Sequence, residues 1–460
     1  MSQSQFMFNR RNFLASLGAF SIGSAFGIDL APKTAFKGEV KGRRVKLAAI
    51  GCGGMGGAAT ISLLAVGCDL VAVCDINPEA FDQWEKRYPG VPKFTDYREM
   101  LKTMGDKFEA VEVGTPDHTH AYISVDCMLA GKHVYVQKPL ARTVEECELM
   151  LKTQLKTGVV CQMGNQGHPG VWRYKAMRDA AVWGDVKELY SWSNRPVWPQ
   201  GMKAYPAAQP LPANYAKNAW DCWCGPSADH GFNTAYHSFN WRGWWDYGCG
   251  AIGDMAVHNA DPAFWTFELG LPITVKADTY GEGPVTIAYP KKSRIEMTFA
   301  PNKWIPNGIK LTWLDGGLLP EKDKIAGLAA DVPDNGLIVV GSKATTIGQS
   351  HAARPTCIAG DAAAVEAALQ KGDAPSDYNH YREFVEAVLD NDPARCGSKL
   401  AYAAPLTEAL LIGCIALRFP GEELHFDPKT MQFTNKPEAN RWLRAPKRGD
   451  WDFAKMTAGR

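Results

Sequence analysis

Three things are missing from this sequence, and each absence excludes a class of protein. An excess of one charge is missing: 50 Lys and Arg stand against 49 Asp and Glu, a net charge of +1, so there is no sequence-wide attraction for nucleic acid or an anionic membrane. Small molecules become the expected partners. An apolar run of membrane-spanning length is also missing, so no transmembrane segment is expected. The third absence is metal-type cysteine spacing. The 12 Cys follow no repeat, and the one close pair, Cys222-Trp223-Cys224, has a single intervening residue and no second pair, so no metal is expected. What remains is core material: 46% hydrophobic and 22% charged residues exclude a largely disordered chain. A length of 460 residues points to two or three domains. The 15 Trp and 15 Tyr suit stacking on the apolar face of a sugar, and equally suit a core.

The N-terminus reads Asn9-Arg10-Arg11-Asn12-Phe13-Leu14, then a weakly apolar run from Ala15 to Ile28 that is too short to span a bilayer. This resembles a twin-arginine export signal, with a basic amphipathic helix as the alternative. The resemblance implies a signal peptide over residues 1–35, cleavage between Ala25 and Ala35, and a periplasmic protein that folds around its cofactor before export.

Val45 to Ile50 reads as a buried strand, followed by Gly51-Cys52-Gly53-Gly54-Met55-Gly56 and an apolar helical stretch to Val66. Glycines at 51, 53 and 56 fit the spacing in which the first permits a tight turn, the second admits a pyrophosphate and the third lets helix and strand pack closely. Gly54 and Met55 fall at the helix N-terminus, where amides and dipole favour phosphate. A second strand, Asp69 to Cys74, ends in Asp75, 19 positions after Gly56, close to the spacing of about 20 expected for an acid on the adenosine ribose. Asp75 would repel a 2′-phosphate, so NAD is expected over NADP.

Strands and helices then alternate. Asp96-x-x-Glu99 reads as a capping-box-like helix start, Glu109–Val113 as a strand, Thr119–Ala130 as a helix, His133–Val136 as a strand, Thr143-x-x-Glu146 as the opening of the next helix, and Val159–Met163 as a closing strand. Single helices between strands imply parallel crossovers and a doubly wound Rossmann sheet over residues 43–163, with ligand at the carboxyl ends of the strands. That edge carries Thr115-Pro116 with His120 after one strand and Gln137-Lys138-Pro139 after the next, both expected at the nicotinamide half of the cofactor.

These residues resemble the Gfo/Idh/MocA oxidoreductases, the family of glucose-fructose oxidoreductase and inositol dehydrogenase, from about Val45 to the C-terminal region. Lys138-Pro139 matches the last two positions of the family's Glu-Lys-Pro motif, and Gln137 replaces its Glu. A second signature, a Gly-rich turn and then Asp-x-x-x-His, appears as Gly248 to His258 with Asp254 and His258. Four residues apart, these two share one helix face. The resemblance implies that Lys138, Asp254 and His258 surround the carbon that gives up hydride. His258 is suited to take the hydroxyl proton, Lys138 to stabilise alkoxide charge, and Asp254 to orient the imidazole or hold a neighbouring hydroxyl. It also implies an α/β second domain, residues 164–400, with an open mixed or antiparallel sheet serving substrate binding and homo-oligomerisation.

In that domain Pro272–Tyr280, Arg294–Pro301, Ile309–Leu314 and Gly336–Thr346 read as strands. Asp377–Leu389 and Leu406–Phe419 read as late helices, the second opening a C-terminal segment, 401–460, that packs back on the core. Asp185–Tyr247 reads as a long functional loop. Within it Tyr236, His237, Arg242 and Trp244 either line a polyol cleft or form an aromatic mini-core, and Asn165 and His168 are placed by topology toward substrate.

The expected function is an exported NAD-dependent oxidoreductase acting on a sugar, polyol or glycoside hydroxyl. Nicotinamide nucleotides are not replenished outside the cytosol, so the cofactor is expected to be tightly held and recycled within one turnover. One alternative is an NAD-dependent glycoside-cleaving enzyme using transient oxidation and elimination. A second is a non-catalytic periplasmic sugar-binding protein.

Overall fold

The computed structural model describes residues 42–280, 286–329, 332–372 and 379–458. The twin-arginine stretch, the whole 1–35 segment and Asp377 lie outside the described residues. The first domain runs β1 (Val45–Ile50), α1 (Gly54–Ala65), β2 (Cys68–Cys74), α2 (Asp82–Arg87), β3 (Lys93–Phe94), α3 (Tyr97–Met104), β4 (Ala110–Val113), α4 (Asp117–Leu129), β5 (His133–Gln137), α5 (Val144–Thr157) and β6 (Cys161–Gly164). Its six parallel strands take the order β3-β2-β1-β4-β5-β6. The order reverses between β1 and β4, which opens a crevice at their carboxyl ends.

Local chemistry sets these elements. Thr143 and Glu146 close a reciprocal capping box at the start of α5, and Gly158 ends that helix in the left-handed conformation, as such termini require. Asp96 caps α3 by accepting from the Arg98 amide rather than through a box with Glu99.

The second domain contains α6 (Val171–Asp179), β7 (Val186–Trp192), α7 (Ala219–Cys224), α8 (Gly250–Asn259), α9 (Asp261–Phe267), β8 (Thr274–Thr279), β9 (Ser293–Phe299), β10 (Ile309–Leu314), β11 (Gly336–Gly341), β12 (Ala344–Gly348), β13 (Thr356–Gly360), α10 (Ala362–Lys371), α11 (His380–Asp390), α12 (Leu400–Ala416), β14 (Glu423–Asp427), β15 (Gln432–Phe433) and α13 (Phe453–Thr457). Its nine strands take the order β13-β12-β11-β7-β10-β9-β8-β14-β15. Only the β7–β10 pair is parallel. In β9 buried and half-exposed residues alternate strictly, as a sheet covered on one face requires.

Two expectations are corrected here. Residues 185–247 are not all loop: they begin with β7, in the middle of the sheet, and include α7. The stretch read as one strand from Gly336 to Thr346 is the hairpin β11–β12, turned over Ser342 and Lys343.

Late segments bind the two domains into one body. All of α12 except Pro405 is buried, since it packs against α5, α8, β6, β8 and β9; a helix apolar on every side is stable only when surrounded. The α11 helix packs on α1 and β1 and contributes Phe384, Val385, Ala387 and Val388 to the core of the first sheet. Phe453 of α13 stacks on Tyr122 of α4, with ring centroids 3.9 Å apart. Among the described residues no helix is long and apolar enough to cross a membrane.

Candidate active site

The turn after β1 is built for close backbone approach. Gly51 has φ +81°, and a Cβ there would lie 2.6 Å from the Gly114 carbonyl carbon and the Thr115 nitrogen, while one at Gly56 would overlap the Gly51 carbonyl oxygen. The α1 helix starts at Gly53 with no side-chain cap and no acid in its first turn, so its amides at Gly54, Met55 and Gly56 are left to an anion. Asp75, at the end of β2, accepts from the Gly53 amide at 3.2 Å and the Asn77 amide at 2.9 Å, and burial raises its pKa. A glycine cradle, an uncapped helix N-terminus and an acid at the tip of the neighbouring strand fit a dinucleotide: Gly51 to Gly56 would hold the pyrophosphate and Asp75 the ribose.

Across the crevice lie the loops after β4 and β5. Thr115 and Pro116 lead into α4, and Thr119 donates to the Thr115 hydroxyl at 2.8 Å. His120 is buried, with Nδ1 2.8 Å from Pro139 O and Nε2 2.7 Å from Thr115 O; burial lowers its pKa to about 4. It ties the two loops together from below. Gln137 is also buried and donates to Glu112 Oε1 at 3.3 Å.

Lys138, Asp254 and His258 come together at this edge. Lys138 Nζ donates to Asp254 Oδ1 at 2.7 Å and to Asp254 O at 2.8 Å. Arg242 Nε lies 3.4 Å from the same Oδ1, its guanidinium 4.2 Å from the Trp241 ring centre and 4.7 Å from that of Phe239. Burial alone would raise the Asp254 pKa, but the charges of Lys138 and Arg242 and the Lys138 hydrogen bond hold it below the usual carboxylate range. Beneath them Asp117 accepts from the Cys249 amide at 3.1 Å, and burial raises its pKa to about 7.

One turn along α8, His258 Nδ1 lies 2.8 Å from Asn165 Oδ1, and Asn165 Nδ2 donates to Val257 O at 2.9 Å. That second bond fixes the amide with its oxygen toward the imidazole, so His258 carries its proton on Nδ1 and its lone pair on Nε2. Burial, then Lys138, hold its pKa well below the ordinary imidazole value. His258 is therefore neutral, with Nε2 as its acceptor. Asn165, read from topology as a substrate contact, is placed as the residue that orients this base.

The other residues named from sequence are dispersed. His168 is buried in a separate polar knot, with Nδ1 3.0 Å from Asp261 Oδ2 while Tyr402 donates to Asp261 Oδ1. Tyr236 and Trp244 belong to a mini-core with Trp220, Trp223, Trp241 and Tyr247, so of the two readings of this stretch these two residues take the mini-core one. His237 is half-buried on the Trp223 side of that cluster, with centroids 6.3 Å apart, and burial lowers its pKa to about 4. Arg242 alone of that group reaches the Lys138–Asp254 pair. The mini-core packs on Ile76, the residue after Asp75, so the insertion roofs the adenosine end of the crevice.

Two residues on this edge escaped the sequence reading. His351, after β12, stacks on His258 with centroids 4.1 Å apart and planes at 23°. Arg195, just past β7, exerts its charge on both Asp254 and His351. Each follows a second-domain strand without a recognisable motif.

Fold and site together define a two-domain, NAD-binding oxidoreductase. The model of an oxidoreductase family with an NAD-binding Rossmann fold matches residues 45–165, and that of the family's C-terminal alpha/beta domain matches residues 188–305, together just over half of the chain. The chain belongs to this family, Gfo/Idh/MocA. Among curated relatives, an alpha-N-acetylgalactosaminidase of Shewanella oneidensis is 31% identical over 179 residues, 34% of this chain and 39% of that protein. A 1-carboxy-3-chloro-3,4-dihydroxycyclohexa-1,5-diene dehydrogenase of Comamonas testosteroni is 31% identical over 125 residues, 26% of this chain and 31% of that protein. The chain thus spans about two-fifths or less of these relatives' lengths. Among solved structures, the WlbA dehydrogenase of Bordetella pertussis, in complex with NADH and UDP-GlcNAcA, superposes with a TM-score of 0.57 at 18% identity, covering 84% of this chain and 99% of that one. An inositol dehydrogenase homologue of Azotobacter vinelandii, complexed with NADH and myo-inositol, gives 0.54 at 16% identity, covering 84% and 99%. At these identities the likeness is one of fold.

Proposed function

We propose that this protein oxidises a hydroxyl of a sugar, polyol or glycoside with a firmly held NAD, and that it works in the periplasm after export by the twin-arginine route. The observation that carries the reading is the Lys138–Asp254 pair beside an imidazole whose only lone pair is on Nε2. An ammonium has three N–H donors; Lys138 uses two on Asp254 and keeps one for a substrate oxygen. His258 Nε2 takes the hydroxyl proton, and the Lys138 charge stabilises the oxygen as it becomes negative. NAD, when bound, supplies the acceptor for the hydride that leaves the carbinol carbon. Asp75 favours NAD over NADP, because a 2′-phosphate would meet a carboxylate.

The aromatic roof over Ile76 supports slow cofactor exchange, which export requires. The glycosidase names carried by the Shewanella relatives favour a second reading, in which oxidation is transient and serves to expel a glycosidic substituent. Homo-oligomerisation through the open sheet is part of the proposal. The test is to fractionate cells, purify the protein from the periplasm, assay for co-purified NAD, and follow reduced-nicotinamide absorbance with free sugars and aryl glycosides. Retention of an Arg10→Lys, Arg11→Lys variant in the cytoplasm checks the export route. A cofactor-free, redox-silent protein with every sugar and glycoside would end this reading.

A further inference from the structure

A second hydrogen-bond chain in the pocket repeats the logic of the first. Asn259, the residue after His258, donates from Nδ2 to Trp192 O at 2.7 Å, which turns its Oδ1 toward Ser350. The Ser350 hydroxyl donates to that oxygen at 2.6 Å and is left with only lone pairs for His351 Nδ1, also 2.6 Å away. His351 must therefore carry its proton on Nδ1 and its lone pair on Nε2. Asn165 and Asn259 thus govern two imidazoles, fixing both in the same tautomer, with the rings stacked 4.1 Å apart.

The two rings differ in exposure. His258 is 3% exposed, whereas His351 is open to solvent. The loop that carries His351 is held at some cost: His351 and Ala352 have φ of +61° and +53°, a region unfavourable for a non-glycine residue. It also needs glycines opposite. A Cβ on Gly167 would lie 2.6 Å from His351 Cα, and one on Gly170 would overlap Ala352 O. Although one edge of the ring is open to solvent, desolvation of the rest and the Lys138 charge lower the His351 pKa, which favours the neutral ring.

Oxidation of one hydroxyl releases one proton, which His258 can take. A second neutral imidazole with a free lone pair is redundant unless a second proton moves, and two rings in contact cannot both hold an extra proton without strong repulsion. The two must work in succession. Resting on the oxidoreductase reading, we propose that His351 is a second proton-transfer residue, whose Nε2 takes a proton from the carbon next to the newly formed carbonyl. In that step the C–H bond breaks, its electron pair becomes the C=C bond of an enolate, and the oxygen takes the negative charge opposite Lys138. The proton resides on His351 and exchanges with water before it is returned to the same carbon. Nothing is oxidised or reduced in the step.

Two measurements on the full-length protein test this. Long-range 1H–15N spectra of protein labelled with 15N-histidine should show His351 protonated on Nδ1, and Ser350→Ala should move that proton toward Nε2. In D2O, with a panel of free hexoses and aryl α- and β-glycosides including 4-nitrophenyl N-acetyl-α-galactosaminide, the wild type should place deuterium on the carbon adjacent to the oxidised one. His351→Gln should lower that exchange by about 100-fold or more while nicotinamide reduction falls by less than about tenfold. An Nε2-protonated His351 in the wild type, equal losses in both signals, or exchange that survives His351→Gln would overturn the proposal and leave the oxidoreductase reading standing. Absence of nicotinamide reduction by the wild type with every probe would overturn both.

Discussion

Lys138 is held by two bonds to a single residue, so its removal acts on chemistry and on packing together. Lys138→Met should lower turnover by about 100- to 1,000-fold, the range for losing one preorganised donor at a developing oxyanion. Arg242 remains beside Asp254, so the melting temperature should fall by only a few degrees; steady-state kinetics and calorimetry check the two parts. Asp117 gives a pH signature. Its pKa is raised from 3.8 to about 7 by burial, so the stability linked to its proton is present at acid pH and lost as pH rises through about 7. Asp117→Asn keeps an acceptor for the Cys249 amide without that penalty. Relative to wild type it should gain stability between pH 5 and pH 8, by at most about 4 kcal/mol from the size of the shift, as read from melting curves at both pH values. At this scale the sequence revealed what lies within one motif: Asp254 and His258 share a helix face, and Lys138 sits next to the proline of its loop. Arg195 and His351 were hidden because they join the site only when β7 and β12 take their places in the second sheet, and no local pattern encodes that.

At the scale of the element, periodicity and caps were good guides in most of the first domain, where all strands but the two-residue β3 are short, largely buried runs beside helices; β3 and α2 carried no such signal and were not read. They were poorer in the second. The β7 strand, Val186–Trp192, sits in mid-sheet, but the Trp- and Pro-rich stretch after it hid its pattern. The β11–β12 hairpin looked like one strand because its turn has little turn chemistry beyond Gly341. A tight local requirement sits at α1. Gly56→Ala places a methyl group against the Gly51 carbonyl, which forces helix and turn apart; it should cost about 2 kcal/mol or more and weaken NAD retention by at least tenfold. Thermal melts and the ratio of bound nicotinamide to protein after gel filtration measure both.

For the whole molecule, the insertion between β7 and α8 matters most. Trp220 and Trp223 stack with centroids 4.5 Å apart inside the cluster that covers Ile76, and His118 of α4 lies 2.6 Å from Trp223 O, so the roof is bolted to the nucleotide domain rather than hinged beside it. Trp223→Leu should loosen it and accelerate NAD release by about tenfold or more, measured by dilution into a scavenging dehydrogenase, while oxidation of the first equivalent of substrate proceeds at a similar rate. Trp content alone could not say which aromatics line a cleft and which hold a roof; that follows from which of them the chain buries against Ile76.

The α11 helix, some 215 residues beyond β6, supplies part of the apolar cover for the opening sheet. A ribosome that has just finished the nucleotide-binding half has therefore made a sheet with one side only partly covered, and the fold that holds the dinucleotide is complete only after most of the polypeptide has emerged. Synthesis, cofactor capture and completion of the fold become one late event, and truncating the chain anywhere before residue 390 should leave an insoluble product rather than a smaller working domain.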